Sequence, residues 1–520
     1  MPISAHERHL MNGGLLRPVS KSLADTTIHP FATLAARPTA SEFGVGHASI
    51  VTATYRINCS SDAVSWDSHG SSDSITDRPS AAALGKGSWQ VGLDFYMSDS
   101  SSWSAIYGAK INHIGVKGAM GFGVGICPAV PNGFGLMAGT TDIYSENYGN
   151  YIGADSSIMC WVPAHYTKYG TGSNGLAVNV VDIKPIDYFF DLASANAAGY
   201  FIPRAFYNAG AIQLGVFVDK YQCSNNGGIA SSIKLGLPLS SSATHNPFAG
   251  LTGTPANFYY GAIAAVKTRG ARFSTPSVFI YHMLTMLSLA HGQAATSTNE
   301  CAWYDPAGVT NFPKGNNNNA LGDINDATLT FVSDGFPNSA KTGSASNLAK
   351  TTHNGQACGI ADLNGNMLEI SLGMTADATN YYLLNTAVDI ATITSGTTLA
   401  TDAWGATDIA AMYTSLGATY EALTASTTAK LIGAATQVFS EAVSGTAWAA
   451  AGAGIPLLTG TGGTNMFGND GLYDYRPDTL CPIVGGGWYH GANAGVWLLA
   501  LSPVRGDSTT DLGFRACLYL

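Results

Sequence analysis

The segments Thr352-His353-Asn354-Gly355-Gln356 and Gly359-Ile360-Ala361-Asp362-Leu363-Asn364-Gly365-Asn366-Met367-Leu368-Glu369-Ile370 together form the stretch on which the fold turns. Asp362 and Glu369 flank a turn centred on Gly365, with Asn364 and Asn366 on either side of it. Asn and Asp side chains hydrogen-bond to nearby backbone and tolerate the left-handed conformation, so the segment reads as a turn held by its own side chains. The same spacing supports a second account. Two end carboxylates and the turn carbonyls between them make an oxygen cage of the kind calcium accepts. On spacing alone the hydrogen-bonded turn is the simpler of the two.

Outward from this segment, the C-terminal end has the clearest pattern. In Val496 to Leu501, Trp497, Leu499 and Leu501 alternate with Val496, Leu498 and Ala500, which is the period of a strand. Ser502 to Asp511 is polar and turn-rich, with Pro503 and Gly506. In Gly513 to Tyr519, Phe514, Ala516 and Leu518 again share a face. The pattern predicts two antiparallel strands joined by an exposed loop. The longest apolar stretch, Val278 to Ala290, is shorter than the ~20 residues that span a bilayer and is interrupted by His282, Thr285 and Ser288. Thr275 as cap, Pro276 in the first turn and Gly292 beyond the end predict a helix over 276–290. Phe279, Met283, Met286, Leu287 and Ala290 would form its core-facing side.

Composition sets the outer limits. Only 11% of the 520 residues are charged, against roughly 25% in an average soluble domain, so the surface is built mainly from uncharged polar groups. With 46% apolar residues there is ample core material, which excludes disorder over the whole chain and suggests two to four domains. A net charge of -10 and only 24 Lys and Arg leave no phosphate-binding surface. Nucleic acid and membrane insertion are therefore not expected. The start, Met1 to Leu10, lacks the basic segment and apolar run of a secretory signal. The eight cysteines are widely spaced with no CxxC, which predicts small buried thiols in a reducing compartment.

Residues 1–150 read as β-rich, with alternating runs at Ser49 to Arg56, Trp89 to Tyr96 and Ala105 to Val116. A boundary is placed near 150, followed by one large, loop-rich domain over 151–520. Its long loops are expected at His291 to Asn299, Gly315 to Asn319, Asn338 to Lys350 and Gly460 to Gly471. The fold class is thus α+β. Gly170-Thr-Gly-Ser-Asn-Gly175 spells a dinucleotide fingerprint but leads into a strand-like run, where a phosphate site needs a helix N-terminus. Arg505-Gly506-Asp507 spells an adhesion tripeptide, read as chance. The twelve histidines are scattered, and His282 has no second ligand at helical spacing.

Several segments together resemble a known family. Thr352–Gln356 leading into Gly359–Ile370 is similar to a segment of the formylglycine-generating-enzyme branch of the C-type lectin fold. The ending Val484-Gly-Gly-Gly-Trp488, Ala494-Gly-Val-Trp497 and Gly513-Phe-Arg-Ala516 is similar to the variable region of diversity-generating retroelement target proteins. Met159-Cys-Trp-Val-Pro163, Phe217-Val-Asp-Lys-Tyr221 with Asn225-Asn-Gly-Gly228, and Gly270-Ala-Arg-Phe-Ser274 fit phage and prophage members of that group. The resemblance spans about residues 155 to 520 and leaves 1–150 uncovered.

It implies a C-type-lectin-like ligand-binding domain over 151–520 with a variable region of about 474–520. Exposed residues there would be rewritten by adenine-directed mutagenesis. Trp488, Trp497, Phe514 and Arg515 map to fixed framework. Gly487, Tyr489, His490, Ala500, Ser502, Pro503, Asp507, Thr509, Thr510 and Asp511 map to variable positions, with Leu498, Gly506 and Asp478 at the margin of the pattern.

The function this implies is binding and not catalysis. The expected protein is a tail-fibre or receptor-binding protein of a virion tail, made in the host cytoplasm, that recognises a host cell-surface protein or glycan. The alternatives are a formylglycine-generating-type oxidase homologue and a static calcium-dependent lectin or adhesin at the cell surface. Residues 1–150 would attach it to other tail proteins or oligomerise it, with a trimer as one form. A formylglycine-generating oxidase needs two nearby thiolates for Cu(I), whereas Cys481 and Cys517 are 36 residues apart and Gly485–His490 holds no cysteine. No cofactor is required. Within the resemblance, Asp362, Gly365, Met367 and Glu369 would hold a structural calcium, while sugar-site triplets of the Glu-Pro-Asn type are absent.

Overall fold

The computed structural model of the chain describes residues 112–520 except 253–257, 307–311, 394–411, 418–428, 434, 460–464, 476 and 478, together with the backbone of three strands upstream. The chain divides into two compact units, Met1–Lys110 with Asp187–Phe190, and Ile111–Ile186 with Asp191–Leu520. Strand outweighs helix, 24% against 17%, and is spread over several small sheets, so the chain is mixed α and β.

In the first unit Ala48–Val51 lies between Ile28–Phe31, parallel to it, and Arg56–Cys59, antiparallel. The run Trp89 to Tyr96 lies outside the described residues, and Asn112 to Val116 is turn and coil. The change of texture near residue 150 is not a boundary. Asn150–Gly153 is an inner strand of the second unit, paired with Phe134–Leu136 on one side and Ile158–Pro163 on the other.

That antiparallel sheet has five strands, in the order Cys517–Leu518, Gly215–Asp219, Ile158–Pro163, Asn150–Gly153, Phe134–Leu136. Gly215–Asp219 is wholly buried, as its continuous Val-Phe-Val run requires. Phe217 meets Trp161 at 4.9 Å and Tyr151 edge-on at 5.3 Å, giving an aromatic core that favours tilted and T-shaped contacts. A second, mixed sheet has six strands, in the order Lys430–Leu431, Gly471–Asp474, Leu499–Leu501, Ile483–Val484, Leu368–Ile370, Leu512–Gly513.

The predicted helix is Val278–Ala294, and from Val278 to His291 it is buried on every side instead of along one stripe. Its N-cap is Ser277, not Thr275, and no side chain caps it. The segment just past the strand Leu368–Ile370 supplies what a cap would, because the Leu372 carbonyl accepts from Val278 N at 2.9 Å.

The expected C-terminal hairpin does not form. Leu499–Leu501 lies between Gly471–Asp474 and Ile483–Val484, Leu512–Gly513 pairs in parallel with Leu368–Ile370, and Cys517–Leu518 pairs with Gly215–Asp219. The chain therefore leaves one sheet at Gly513 and enters the other at Cys517.

Arg515 sits in that crossing, fully buried. Its Nε and Nη2 donate to Glu369 Oε2 and Oε1, each at 2.5 Å. Nη1 donates to Asp219 O at 3.0 Å and Nη2 to Ala361 O at 2.9 Å. Glu369 also accepts from Tyr281 Oη at 2.7 Å, so one ion pair joins both sheets and the helix. Beside it, Arg269 donates to both oxygens of Asp219, whose Oδ2 also accepts from Ala516 N at 2.8 Å.

Removing one partner of a buried pair strands the other charge, at a cost of about 3–5 kcal/mol. Arg515→Ala and Glu369→Gln should each lower unfolding free energy by about that amount in chemical denaturation. The double variant Glu369→Gln/Arg515→Met should lose less than the sum of the two.

Candidate functional site

The face predicted to bind ligand is built from two loops whose backbones are fixed from beneath. In the first, Gly485 and Gly486 adopt φ of 90° and 93°, a region that side-chain-bearing residues rarely enter. A Cβ on Gly486 would also lie 2.5 Å from that of Ala494. The loop is then held through its main chain. Trp488 N donates to Asn366 O at 3.0 Å, Asn319 N to Trp488 O at 2.9 Å, and Gly491 N to Asn317 O at 2.7 Å.

The supporting residues form an amide network. Asn316, Asn317, Asn364 and Asn366 are buried. Asn316 Nδ2 donates to Asn366 Oδ1 and Asn317 Nδ2 to Asn364 Oδ1, both at 3.1 Å. Asn366 Nδ2 reaches Gln222 Oε1 at 3.0 Å, and Asn317 Oδ1 accepts from Ile324 N at 2.8 Å. From the sequence Gly315 to Asn319 is expected only as a loop. Four consecutive Asn residues opposite an Asn-Gly-Asn turn were the signal available for this support.

The second loop, 502–511, is tied down in the same manner. Pro503 O accepts from Cys481 N at 2.9 Å, and Thr479 O from Arg505 N at 3.1 Å. Thr509 N donates to Ser241 Oγ at 2.8 Å, and Leu368 N to Asp511 O at 2.8 Å. His245 lies between Thr510 O at 2.8 Å and Asp334 Oδ2 at 2.7 Å, with its ring stacked on Phe336 at 4.1 Å. Burial alone would raise the Asp334 carboxyl, but the bonds from His245 and the Phe336 N–H hold it below the usual range.

Exposure divides the predicted variable positions. Tyr489 is 49% exposed, Asp507 and Thr509 are exposed, and His490, Ser502, Pro503 and Thr510 are half-buried. Gly487, Leu498, Ala500 and Asp511 are buried, contrary to the exposed face expected of them. Leu498 adjoins, and Ala500 lies in, a strand that has neighbours on both edges and is covered on both faces; alternation reveals two faces but not that both are covered. A Cβ on Gly487 would lie 3.0 Å from Asp511 Oδ2 and 3.1 Å from His490 Nδ1. Asp478 lies outside the described residues. Of the predicted framework, Trp497, Phe514 and Arg515 are buried and Trp488 is half-buried.

The exposed part centres on stacked rings. Tyr489 lies 4.6 Å from His490, nearly parallel, and 4.8 Å from Trp488, edge-on. Gly487 N donates to His490 Nδ1 at 3.0 Å. Burial lowers the His490 pKa, with the Asp511 carboxylate acting in the opposite direction. Burial and Asp511 both raise that of the Tyr489 hydroxyl. Asp511 Oδ1 accepts from Thr509 Oγ1 at 2.6 Å.

The expected calcium cage does not fit its residues. Glu369 is taken up by Arg515, Tyr281 and Gln222, so a guanidinium already supplies the cation there. Asp362 Oδ2 accepts from Gly343 N at 2.7 Å, and the Met367 carbonyl accepts from Gln222 Nε2 at 3.0 Å. Gly365 instead donates its N–H to Gly485 O at 3.1 Å. The segment is the hydrogen-bonded turn, with Asp362 and Asn366 at φ of 58° and 66°.

The other motifs resolve structurally. The 170–175 glycine run is the loop between the paired strands His165–Tyr169 and Val181–Pro185. Arg505 is buried, its guanidinium over the Tyr259 ring at 5.6 Å, so the adhesion tripeptide is not displayed as a unit. Seven cysteines are buried and unpaired among the described residues. Among those residues no helix is long and apolar enough to cross a membrane. No known protein-family model and no curated protein matches the chain.

Burial, with Glu369 adding to it and the Gly343 N–H and Arg515 opposing, raises the Asp362 pKa from 3.8 to about 6. The folded state therefore holds this proton more tightly than the unfolded chain, and stability falls as pH rises through that window. Asp362→Asn, which suits a positive φ, should abolish that fall and raise the melting temperature above pH 6. Calorimetry with and without chelator should give the same transition for both chains.

Proposed function

We propose that this chain is a receptor-binding protein that contacts a surface ligand through the face formed by residues 487–511. The observation that carries this reading is the way the two loops are held. Most of their anchoring bonds run through main-chain atoms to the asparagine network, Thr479 and Ser241, with Ser508 Oγ and Asp507 Oδ2 as side-chain additions, and Tyr489, Asp507 and Thr509 remain exposed. A loop fixed through its backbone is ordered before it meets a ligand, so binding costs less conformational entropy.

The chemistry of the face suits adaptable recognition. Tyr489 and His490 offer rigid ring area, while Ser502, Thr509 and Thr510 add small hydroxyl donors and acceptors, a combination that antibody loops also use. Pro503 and Asp507 complete the accessible set. Gly487, Leu498, Ala500 and Asp511 shape the face from beneath. On the resemblance to diversity-generating retroelement targets, the accessible positions are the ones open to rewriting, and the framework of Trp488, Trp497, Phe514 and Arg515 stays fixed. The setting this implies is a virion tail, with other tail proteins and a host surface protein or glycan as partners and a homo-oligomer, such as a trimer, as assembly. A cell-surface adhesin would use the same face.

Catalysis is not part of this reading. Burial raises the pKa of both the Cys481 and Cys517 thiols, which keeps them protonated and poor copper ligands.

Two measurements test it. Alanine at Tyr489 should change unfolding free energy by no more than about 0.5 kcal/mol and at Asp507 or Thr509, each losing one hydrogen bond, by about 0.5–1 kcal/mol, whereas Gly487→Val and Ala500→Leu should cost about 1–3 kcal/mol through overpacking. Equal losses at both sets would mean the face is not free to vary. The neighbouring DNA should carry a near-copy of codons 475 to 520 that differs almost only at adenines, beside a reverse-transcriptase gene. Its absence would leave a binder with an unchanging face.

A further inference from the structure

A second concave site lies apart from that face. It is an open cleft of about 520 Å³, and no residue of 487–511 lines it. The size is within the roughly 300–1,000 Å³ common for small-molecule sites. One side is the strand Asp326–Thr330, and another the short helical turn Leu348–Thr351. Lys350 Nζ joins them, donating to Asp326 Oδ2 at 2.6 Å and Thr328 Oγ1 at 3.2 Å. Lys314 N donates to Lys350 O at 2.8 Å, which brings the 313–315 segment to the same rim.

The lining indicates what would bind. Asn325 and Asn347 are both exposed, and among the described residues their side-chain amides make no hydrogen bond to protein. Each amide offers two donors and an acceptor side by side, which matches adjacent hydroxyl groups. Tyr304, half-buried, adds an aromatic surface for the apolar face of a ring. Charge sums to zero, because Lys314 and Lys350 are matched by Asp305 and Asp326. That balance disfavours phosphate, which needs net positive surroundings, and the polar lining disfavours lipid or other apolar ligands.

We propose that this cleft binds a neutral, hydroxyl-rich ligand, a saccharide unit, with Asn325 and Asn347 as its hydrogen-bonding groups. The site is independent of the proposed role of 487–511, since it shares no residue with it.

The test uses the full chain and saturation-transfer NMR with glucose, galactose, mannose and N-acetylglucosamine, and with inorganic phosphate for comparison. At least one sugar should bind saturably with Kd in the ~1 mM range, and phosphate should not compete. Asn325→Ala/Asn347→Ala should weaken that binding at least about tenfold with an unchanged melting temperature, and Tyr489→Ala should leave it unaltered. Failure of all four sugars to bind, unchanged sugar binding in the double variant, or phosphate binding as tight as sugar would each overturn the proposal. Loss of sugar binding in Tyr489→Ala alone would move the site to the 487–511 face and overturn it equally.

Discussion

Everything in the second unit leans on one buried ion pair. Arg515 and Glu369 meet where the chain passes from the six-stranded sheet to the five-stranded one, and the guanidinium's remaining protons go to carbonyls of Asp219, Lys220 and Ala361. Neither group has water to fall back on, so the geometry must be right for the charges to be tolerated at all. This makes the pair a strong specifier of arrangement even if its net contribution to stability is small. A core of apolar residues alone could let the two sheets slide, whereas a bidentate pair with five further partners fixes their register.

The same logic recurs beneath the 487–511 face in neutral form. Asparagine amides each present donors and an acceptor, and when buried they must satisfy them. Asn316, Asn317, Asn364 and Asn366 do so through one another and nearby backbone, with Asn316 Oδ1 the exception that is buried without a partner. The consequence is a rigid floor assembled from polar groups, on which Trp488 and Gly491 are set by main-chain bonds. A chain poor in charge can build precise polar support this way, since amides need no counterions. The low charge content read from composition is therefore not confined to the surface; part of the uncharged polar material works inside.

Local features were legible in the sequence and distant partners were not. The helix at Val278–Ala294 was readable because an apolar run and its terminators lie next to one another. The strand at Leu499–Leu501 was readable from its alternation, but its neighbours were not. Consecutive strands pair more often than not, and here the polar loop after Ser502 carries the chain past that choice to Leu368–Ile370. Likewise, nothing local says that Ala500 is covered on its own face, or that Asn316 and Asn317 turn inward to partners some fifty residues away. The spacing of Asp362 and Glu369 suggests a shared cation, but the cation facing Glu369 is an arginine 146 residues further on.

That long separation bears on how the protein is made. Ribosomes deliver Asp219 and Glu369 well before Arg515, so during synthesis both carboxylates and the free edges of their strands wait for a segment that arrives late. A nascent chain stopped or shifted in reading frame anywhere between residues 487 and 511 can never supply the guanidinium or the two closing strands, and remains open to proteases and chaperones. Closure of the core thus acts as an audit of translation, because the guanidinium and both closing strands lie downstream of residues 487 to 511.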